Sequence, residues 1–128
     1  MRIYLDVCCL NRPFDDASQP RVAVEAAAVE RVMELIESDL ITDYSSEMVQ
    51  IEIDRMPDPD RRGKVSALLP PRERIILLDD ALLDSAEALV ARGFRLADVV
   101  HLAAARRVAS GRVSDRGRQA SEAGEAPG

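Results

Sequence analysis

The sequence predicts an α/β fold, a three-layer α/β/α sandwich built around a parallel β-sheet. Three aliphatic segments of strand length alternate with segments whose apolar residues recur at helical spacing. Strands and helices that alternate along a chain form parallel sheets, because each helix crosses back over the sheet between neighbouring strands. The chain has 128 residues, 47% of them hydrophobic, so we expect a single domain with one core.

Local signals indicate where the elements of the first half begin. Residues 2–7 are rich in β-formers and precede a turn-like Asn-Arg-Pro, which predicts a buried first strand. Pro20 is placed to start a long helix, because its missing N–H costs nothing in the first turn. Residues 40–44 form a short second strand, and the serines at 45 and 46 offer a cap for the next helix. The helices of this half are expected at 20–38 and 47–55.

The second half repeats the pattern after a polar excursion. Residues 56–63 are polar and broken by prolines, and a short apolar stretch follows at 65–69, so we expect a surface excursion with a helical turn or two. Residues 74–78 are continuously aliphatic and predict a third strand, after which Asp79 and Asp80 can cap a helix. The last two helices are expected at 81–91 and 97–106.

The final part of the chain lacks the residues that build a core. Beyond Arg106 there is no Leu, Ile or aromatic residue, and Arg, Ala, Gly and Ser dominate. Such a segment cannot bury enough apolar surface to offset the entropy of ordering it. We therefore expect a domain over residues 1–109 and a disordered tail over 110–128, with the last strand of the sheet missing.

Composition narrows the functional classes. The formal net charge of -6 argues against a protein that holds nucleic acid by bulk electrostatics, so nucleic-acid chemistry would have to rely on a local metal. No segment approaches the ~20 apolar residues of a membrane helix or forms a signal peptide, so we expect a cytoplasmic protein without a membrane partner. The adjacent Cys8 and Cys9 do not form a spaced zinc pair and are expected to be buried free thiols.

Three acids occupy related places in this layout. Asp6 ends the first strand, Glu52 lies in the helix after the second, and Asp98 lies in the first turn of the last helix. In a parallel sheet they can converge at one edge, and an oxygen-only cluster suits Mg²⁺ or Mn²⁺. The reaction natural to such a cluster is metal-assisted phosphodiester hydrolysis. Each acid also has a structural interpretation, as a helix-start residue, a solvated helix acid or a turn cap.

Three motifs resemble those of the PIN domains, in particular the VapC-like toxins of toxin–antitoxin pairs. Residues 4–16, YLDVCCLNRPFDD, resemble a subfamily in which an Asn-Arg-Pro-Phe-Asp loop follows the first metal-binding aspartate. Residues 46–53, SEMVQIEI, resemble the family's serine followed six residues later by a helical glutamate, which selects Glu52 rather than Glu47. Residues 96–105, LADVVHLAAA, resemble the family's Asp-x-x-His-Leu-Ala helix. The resemblance covers about residues 1–107.

This resemblance implies a Mg²⁺- or Mn²⁺-dependent endoribonuclease, the toxin of a type II toxin–antitoxin pair. It assigns Asp6, Glu52 and Asp98 as catalytic, metal-binding residues, and it implies an RNA substrate, an antitoxin partner and a possible homodimer. The alternative is a PIN domain with a degenerate C-terminal end that does not cleave RNA and only binds antitoxin or self-associates.

The loop after the first acid and the tail supply further candidates for the site. Asn11 and Asp15 could line its mouth, or they could belong to a structural loop. The family continues after the last helix with a strand that carries a fourth acid. Asp115 is the only residue of this chain that weakly matches that acid.

Other candidates have simpler structural interpretations. His101, the only histidine, is surrounded by apolar helix residues, which favours a packed residue over a catalytic base. Arg61 and Arg62 fit a solvated charged loop better than a phosphate contact. Asp79 fits a helix cap better than an acid pocket like that of receiver domains. A phosphatase of the haloacid-dehalogenase kind needs a second aspartate two residues after the first, where this chain has Cys8.

Overall fold

Three parallel strands and six α-helices make up residues 1–113 of the computed structural model, the part of the chain that the structure describes. The strands are β1 (Arg2–Tyr4), β2 (Thr42–Ser46) and β3 (Ile75–Ile76). The helices are α1 (Val7–Asn11), α2 (Pro20–Glu37), α3 (Glu47–Asp54), α4 (Pro59–Ser66), α5 (Asp80–Val90) and α6 (Leu96–Ser110), with 3-10 turns at Arg12–Phe14 and Arg72–Arg74. The sheet order is β1-β2-β3 and both pairings are parallel, so the predicted α/β class is confirmed.

Side-chain caps explain where most of the helices begin. Four helices start at a residue whose oxygen accepts a hydrogen bond from a backbone N–H of the first turn, which satisfies a group that the helix itself cannot pair. These residues are Asp6 for α1, Ser46 for α3, Asp58 for α4 and Asp79 for α5. At the other end of α6, Gly111 adopts φ 75°, a left-handed conformation that glycine tolerates best.

The strand ends differ from those predicted. β1 stops at Tyr4 rather than at residue 7, because Asp6 caps α1 and turns the chain into a helix. β2 begins two residues later than predicted, since Asp39 adopts φ 61° and Leu40 remains 65% exposed. The predicted polar excursion contains α4, which starts at the Asp58–Pro59 pair. That pair is a helix-start signal that the sequence interpretation passed over.

Buried side chains form two clusters that meet at Tyr4. One cluster is built mainly from α5 and α6 and includes Leu82, Ala86, Val100, Ala104 and Val108. The other is built mainly from α1, α3 and α4 and includes Leu10, Val49, Ile53 and Val65. Tyr4 is partly buried and packs against both clusters. A side chain at the end of β1 therefore has both parts of the core as its neighbours.

The chain remains packed just beyond the last helix. Val113 is 8% exposed and belongs to the α5–α6 cluster. Of the tail predicted over 110–128, the structure describes residues 110–113. Asp115 and the other residues from 114 onwards lie outside the described part of the chain. Within residues 1–113, no helix has both the length and the apolar character needed to cross a membrane.

Candidate functional site

The carboxyl ends of β1 and β2 meet a side chain from α6. Tyr4 is the last residue of β1 and Ser46 the last of β2, and their hydroxyl oxygens lie 2.8 Å apart. The Tyr4 hydroxyl also lies 2.6 Å from Nδ1 of His101, 97 residues away in the sequence. Strands β1 and β2 are neighbours in parallel register, which is why side chains at their carboxyl ends can meet.

His101 in turn reaches the glutamate of α3. Its Nε2 atom lies 2.5 Å from Oε1 of Glu52, and the two side chains are 15% and 29% exposed. Ser46 caps the helix that carries this glutamate, accepting a hydrogen bond from the N–H of Val49. The hydrogen-bonded chain Ser46–Tyr4–His101–Glu52, called here the polar relay, therefore links β1, β2, α3 and α6. Its members come from the start, the middle and the end of the described chain.

Asp6 lies beside this relay. It follows β1 by two residues, and its Oδ1 accepts a hydrogen bond from the N–H of Cys9 at 3.0 Å. Burial raises the pKa of the Tyr4 hydroxyl, the bond from Ser46 opposes this, and the charges of Asp6 and Glu52 raise it further. The two carboxylates thus act on the same hydroxyl, which brings two of the three predicted acids into one neighbourhood.

The cysteines after Asp6 only partly fit the expectation of buried thiols. Cys8 is exposed, so the expectation is wrong for this residue, whereas Cys9 is partly buried. Burial raises the pKa of Cys9 to about 11, with a further contribution from the charge of Asp6. A thiol with a raised pKa is a poor nucleophile and a poor metal ligand at neutral pH. Burial also raises the pKa of Cys8, so neither thiol is favoured as a nucleophile.

The third predicted acid, Asp98, lies on the solvent side of the same region. It is exposed in the first turn of α6, three residues before His101, so the two side chains are neighbours on the helix surface. Glu47 has a different environment, because its Oε1 accepts a hydrogen bond from the N–H of Leu78 at 2.6 Å. Glu52 is the glutamate of α3 that hydrogen-bonds to the helix carrying Asp98.

The three acids fit a divalent cation by their chemistry. Carboxylate oxygens are the hard ligands that Mg²⁺ and Mn²⁺ prefer. In the part of the chain that the structure describes, no three His, Cys, Asp or Glu side chains surround a common point at which one ion could bind. Asp6, Glu52 and Asp98 would therefore have to rotate towards each other to share an ion.

Asn11 at the end of α1 and Asp15 after the following 3-10 turn are held by an arginine from α4. Arg61 donates to Oδ1 of Asp15 at 2.7 Å, to the carbonyl oxygen of Phe14 at 2.6 Å and to Oδ1 of Asn11 at 3.4 Å. Arg12 makes a second ion pair with Asp15. The expectation of a solvated charged loop is wrong for Arg61, which is only about one-third exposed. Asn11 and Asp15 border a cleft beside Cys8, but their polar groups already hold the loop.

The sequence interpretation missed the polar contacts of His101. The apolar neighbours that predicted burial are real, because Val100 and Ala104 on the same helix are fully buried. A buried imidazole, however, has two ring nitrogens that need partners, and this requirement is the signal that points to a polar network. Sequence alone does not say which partners these are.

Comparison of the sequence with protein-family models found no matching family, and comparisons with curated proteins and with solved structures found no similar protein.

Proposed function

We propose that the chain is a Mg²⁺- or Mn²⁺-dependent endoribonuclease of the PIN type, with a three-layer α/β/α architecture and Asp6, Glu52 and Asp98 as metal ligands. The observation that carries the proposal is the hydrogen bond between His101 and Glu52. This bond joins the glutamate of α3 to the helix of Asp98, at the edge of the sheet where Asp6 follows β1. Parallel α/β folds place their chemistry at this edge.

The metal ion and the residues that hold it would have different roles in the reaction. A bound divalent ion would supply a nucleophilic water and stabilise the charge on the attacked phosphate. Asp6 is held by its cap on α1 and Glu52 by His101, so both start from defined positions. The net charge of -6 means that local contacts, rather than bulk attraction, would have to hold RNA. In this proposal the protein acts in the cytoplasm as the toxin of a toxin–antitoxin pair, with a cognate antitoxin as its partner.

Substitution of the acids tests the proposal. Asp6→Asn keeps a residue that can cap α1 but removes one carboxylate charge. Glu52→Gln removes one carboxylate charge from α3, and Glu47→Gln is the matched control on that helix. We expect the Mn²⁺ affinity of the first two variants, measured by calorimetry, to fall about tenfold or more. Loss of a residue that only supports a metal ligand already has an effect of this order. Cleavage of a defined RNA should fall in the same variants, and Glu47→Gln should match the unmodified protein.

Thermal unfolding of Asp6→Asn tests whether the carboxylates of the site repel one another. If the carboxylates repel one another, Asp6→Asn should unfold at a higher temperature than the unmodified protein when metal is chelated. Added Mg²⁺ should stabilise the unmodified protein and leave the variant unchanged, because a ligand stabilises only the form that binds it. Equal Mn²⁺ affinity in both proteins would refute the assignment of Asp6.

One observation favours a second function, a PIN-like module that binds antitoxin or itself without cleaving RNA. No three potential metal ligands are gathered around one point among residues 1–113. Metal binding and RNA cleavage by the unmodified protein distinguish the two functions. Absence of Mn²⁺ binding together with absence of metal-dependent cleavage would support the binding module and exclude the nuclease.

A further inference from the structure

The polar relay places the hydrogens of its members in a definite order. The Glu52 carboxylate only accepts hydrogen bonds, so Nε2 of a neutral His101 carries the ring hydrogen and donates it to Glu52. Nδ1 then accepts from the Tyr4 hydroxyl, which uses the single hydrogen of that hydroxyl. The Ser46 hydroxyl, whose oxygen accepts from the N–H of Val49, is left to donate to the Tyr4 oxygen.

This order matters because Nε2 is the atom that faces Glu52. The other neutral tautomer would place a lone pair of Nε2 against the carboxylate, and the contact would become repulsive. Ser46 is 0% exposed, so water does not compete for its hydroxyl. The start of the relay is therefore anchored in the core.

We propose that His101 is a positioning residue for Glu52, with the Tyr4 hydroxyl as donor to Nδ1 stabilising the tautomer whose Nε2–H holds this carboxylate. The purpose of this arrangement rests on the proposed function, but the hydrogen-bond order does not. A free glutamate side chain samples many rotamers, and a fixed N–H donor restricts those rotamers before any ion binds.

Nuclear magnetic resonance of the metal-free protein tests the relay directly. His101 is the only histidine, so its ring nitrogens give one unambiguous set of signals. At mildly alkaline pH we expect the Nε2–H tautomer. Tyr4→Phe removes the donor to Nδ1 and should shift the Nδ1 signal or mix the tautomers, and Glu52→Gln should shift the Nε2–H signal. An Nδ1–H tautomer, or spectra that neither variant changes, would overturn the proposal.

The chain offers a matched control for the tyrosine substitution. Tyr44 is the other tyrosine, and it pairs with Tyr4 across the β1–β2 ladder but is not part of the relay. Tyr44→Phe should therefore leave the His101 signals in place. A change as large as that in Tyr4→Phe would mean that any loss of a hydroxyl in the sheet disturbs the imidazole, and it would contradict a specific role for Tyr4.

Mn²⁺ affinity then tests what the positioning achieves. His101→Leu removes the donor to Glu52, whereas His101→Gln keeps an N–H donor, so we expect Leu to weaken Mn²⁺ binding about tenfold and Gln to recover most of the loss. Equal affinity in His101→Leu and the unmodified protein would overturn the inference. If the unmodified protein shows the expected tautomer and tyrosine effects but binds no Mn²⁺, the proposed function fails while the relay stands.

Discussion

Ser45 and Ser46 are adjacent and equally buried, yet their hydroxyls have different surroundings. Successive side chains of a strand point to opposite faces of the sheet, so the two hydroxyls meet different neighbours. The Ser46 oxygen accepts from the N–H of Val49 and meets Tyr4. The Ser45 hydroxyl has no hydrogen-bond partner among the residues that the structure describes. Burial of a hydroxyl costs free energy unless a partner compensates it, so only Ser46 contributes to stability through its oxygen.

Alanine substitution should separate the two serines. Ser46→Ala removes the cap of α3 and leaves the hydroxyl of Tyr4 without its donor, so it should lower the free energy of unfolding by about 1–2 kcal/mol. Ser45→Ala removes an uncompensated hydroxyl and should change the same quantity by less than ~0.5 kcal/mol, or raise it. Urea unfolding measures both values. Equal losses would show that the Ser45 hydroxyl has a partner as good as that of Ser46.

At the scale of the elements, Asp79 joins the two helices of the second half. Its Oδ1 accepts from the N–H of Leu82 at 2.8 Å, which caps α5. Both carboxylate oxygens also accept from Arg107 of α6, at 2.9 and 3.0 Å. The hydrogen bond from Arg107, followed by that from the Leu82 backbone, lowers the pKa of Asp79. The predicted helix cap is therefore also a contact between helices.

Asp79→Ala should destabilise the protein more than Asp80→Ala. Loss of the cap costs about 1 kcal/mol, and the ion pair adds little because the Asp79 side chain is half exposed. Asp80 begins α5 and contributes only through its charge near the helix N-terminus. Urea unfolding of the two variants at neutral pH gives the comparison. A larger loss in Asp80→Ala would contradict the capping role of Asp79.

The pH dependence of stability gives an independent check on Asp79. Because the pKa of this carboxyl is lower in the folded protein, its contribution is present above the ordinary pKa of an aspartate. The contribution is lost as the pH falls through the lower, folded value. Between neutral and acidic pH, Asp79→Ala should therefore lose less stability than the unmodified protein. Parallel losses in the two proteins would contradict the lowered pKa.

At the scale of the whole molecule, β3 forms one edge of the sheet. β3 has two residues and, within residues 1–113, pairs only with β2. Leu77 directly follows β3 and is 42% exposed. An open strand edge beside an exposed apolar side chain favours pairing with another chain. The homodimer that the family resemblance implies would form at this edge.

A charge at this edge should reduce self-association. Leu77→Lys places a lysine beside β3, and lysines at sheet edges oppose strand pairing. Leu40→Lys is the control, because Leu40 is 65% exposed but precedes β2 at the opposite end of the sheet. Sedimentation at several concentrations should show association of the unmodified protein and of Leu40→Lys, with weaker association of Leu77→Lys. A concentration-independent monomer in all three would exclude the dimer.

The sequence by itself determined the class of fold and most helix starts, because these depend on near neighbours. Pro20 begins α2, Ser46 caps α3 and Asp79 caps α5, as predicted. The pattern of apolar residues along the chain also located the three strands, but it did not locate their ends. Asp6 can end a strand or cap a helix, and the local sequence does not decide between these roles.

Only the tertiary structure decided which polar groups meet. His101 lies 97 residues from Tyr4 and 49 from Glu52, and Arg61 lies 46 residues from Asp15. No local pattern specifies such pairs, because they depend on how the helices pack against the sheet and on where each side chain then points. Three acids at the ends of elements could be identified from the sequence. The relay that holds one of them results from packing, which brings the ends of β1 and β2 against α3 and α6.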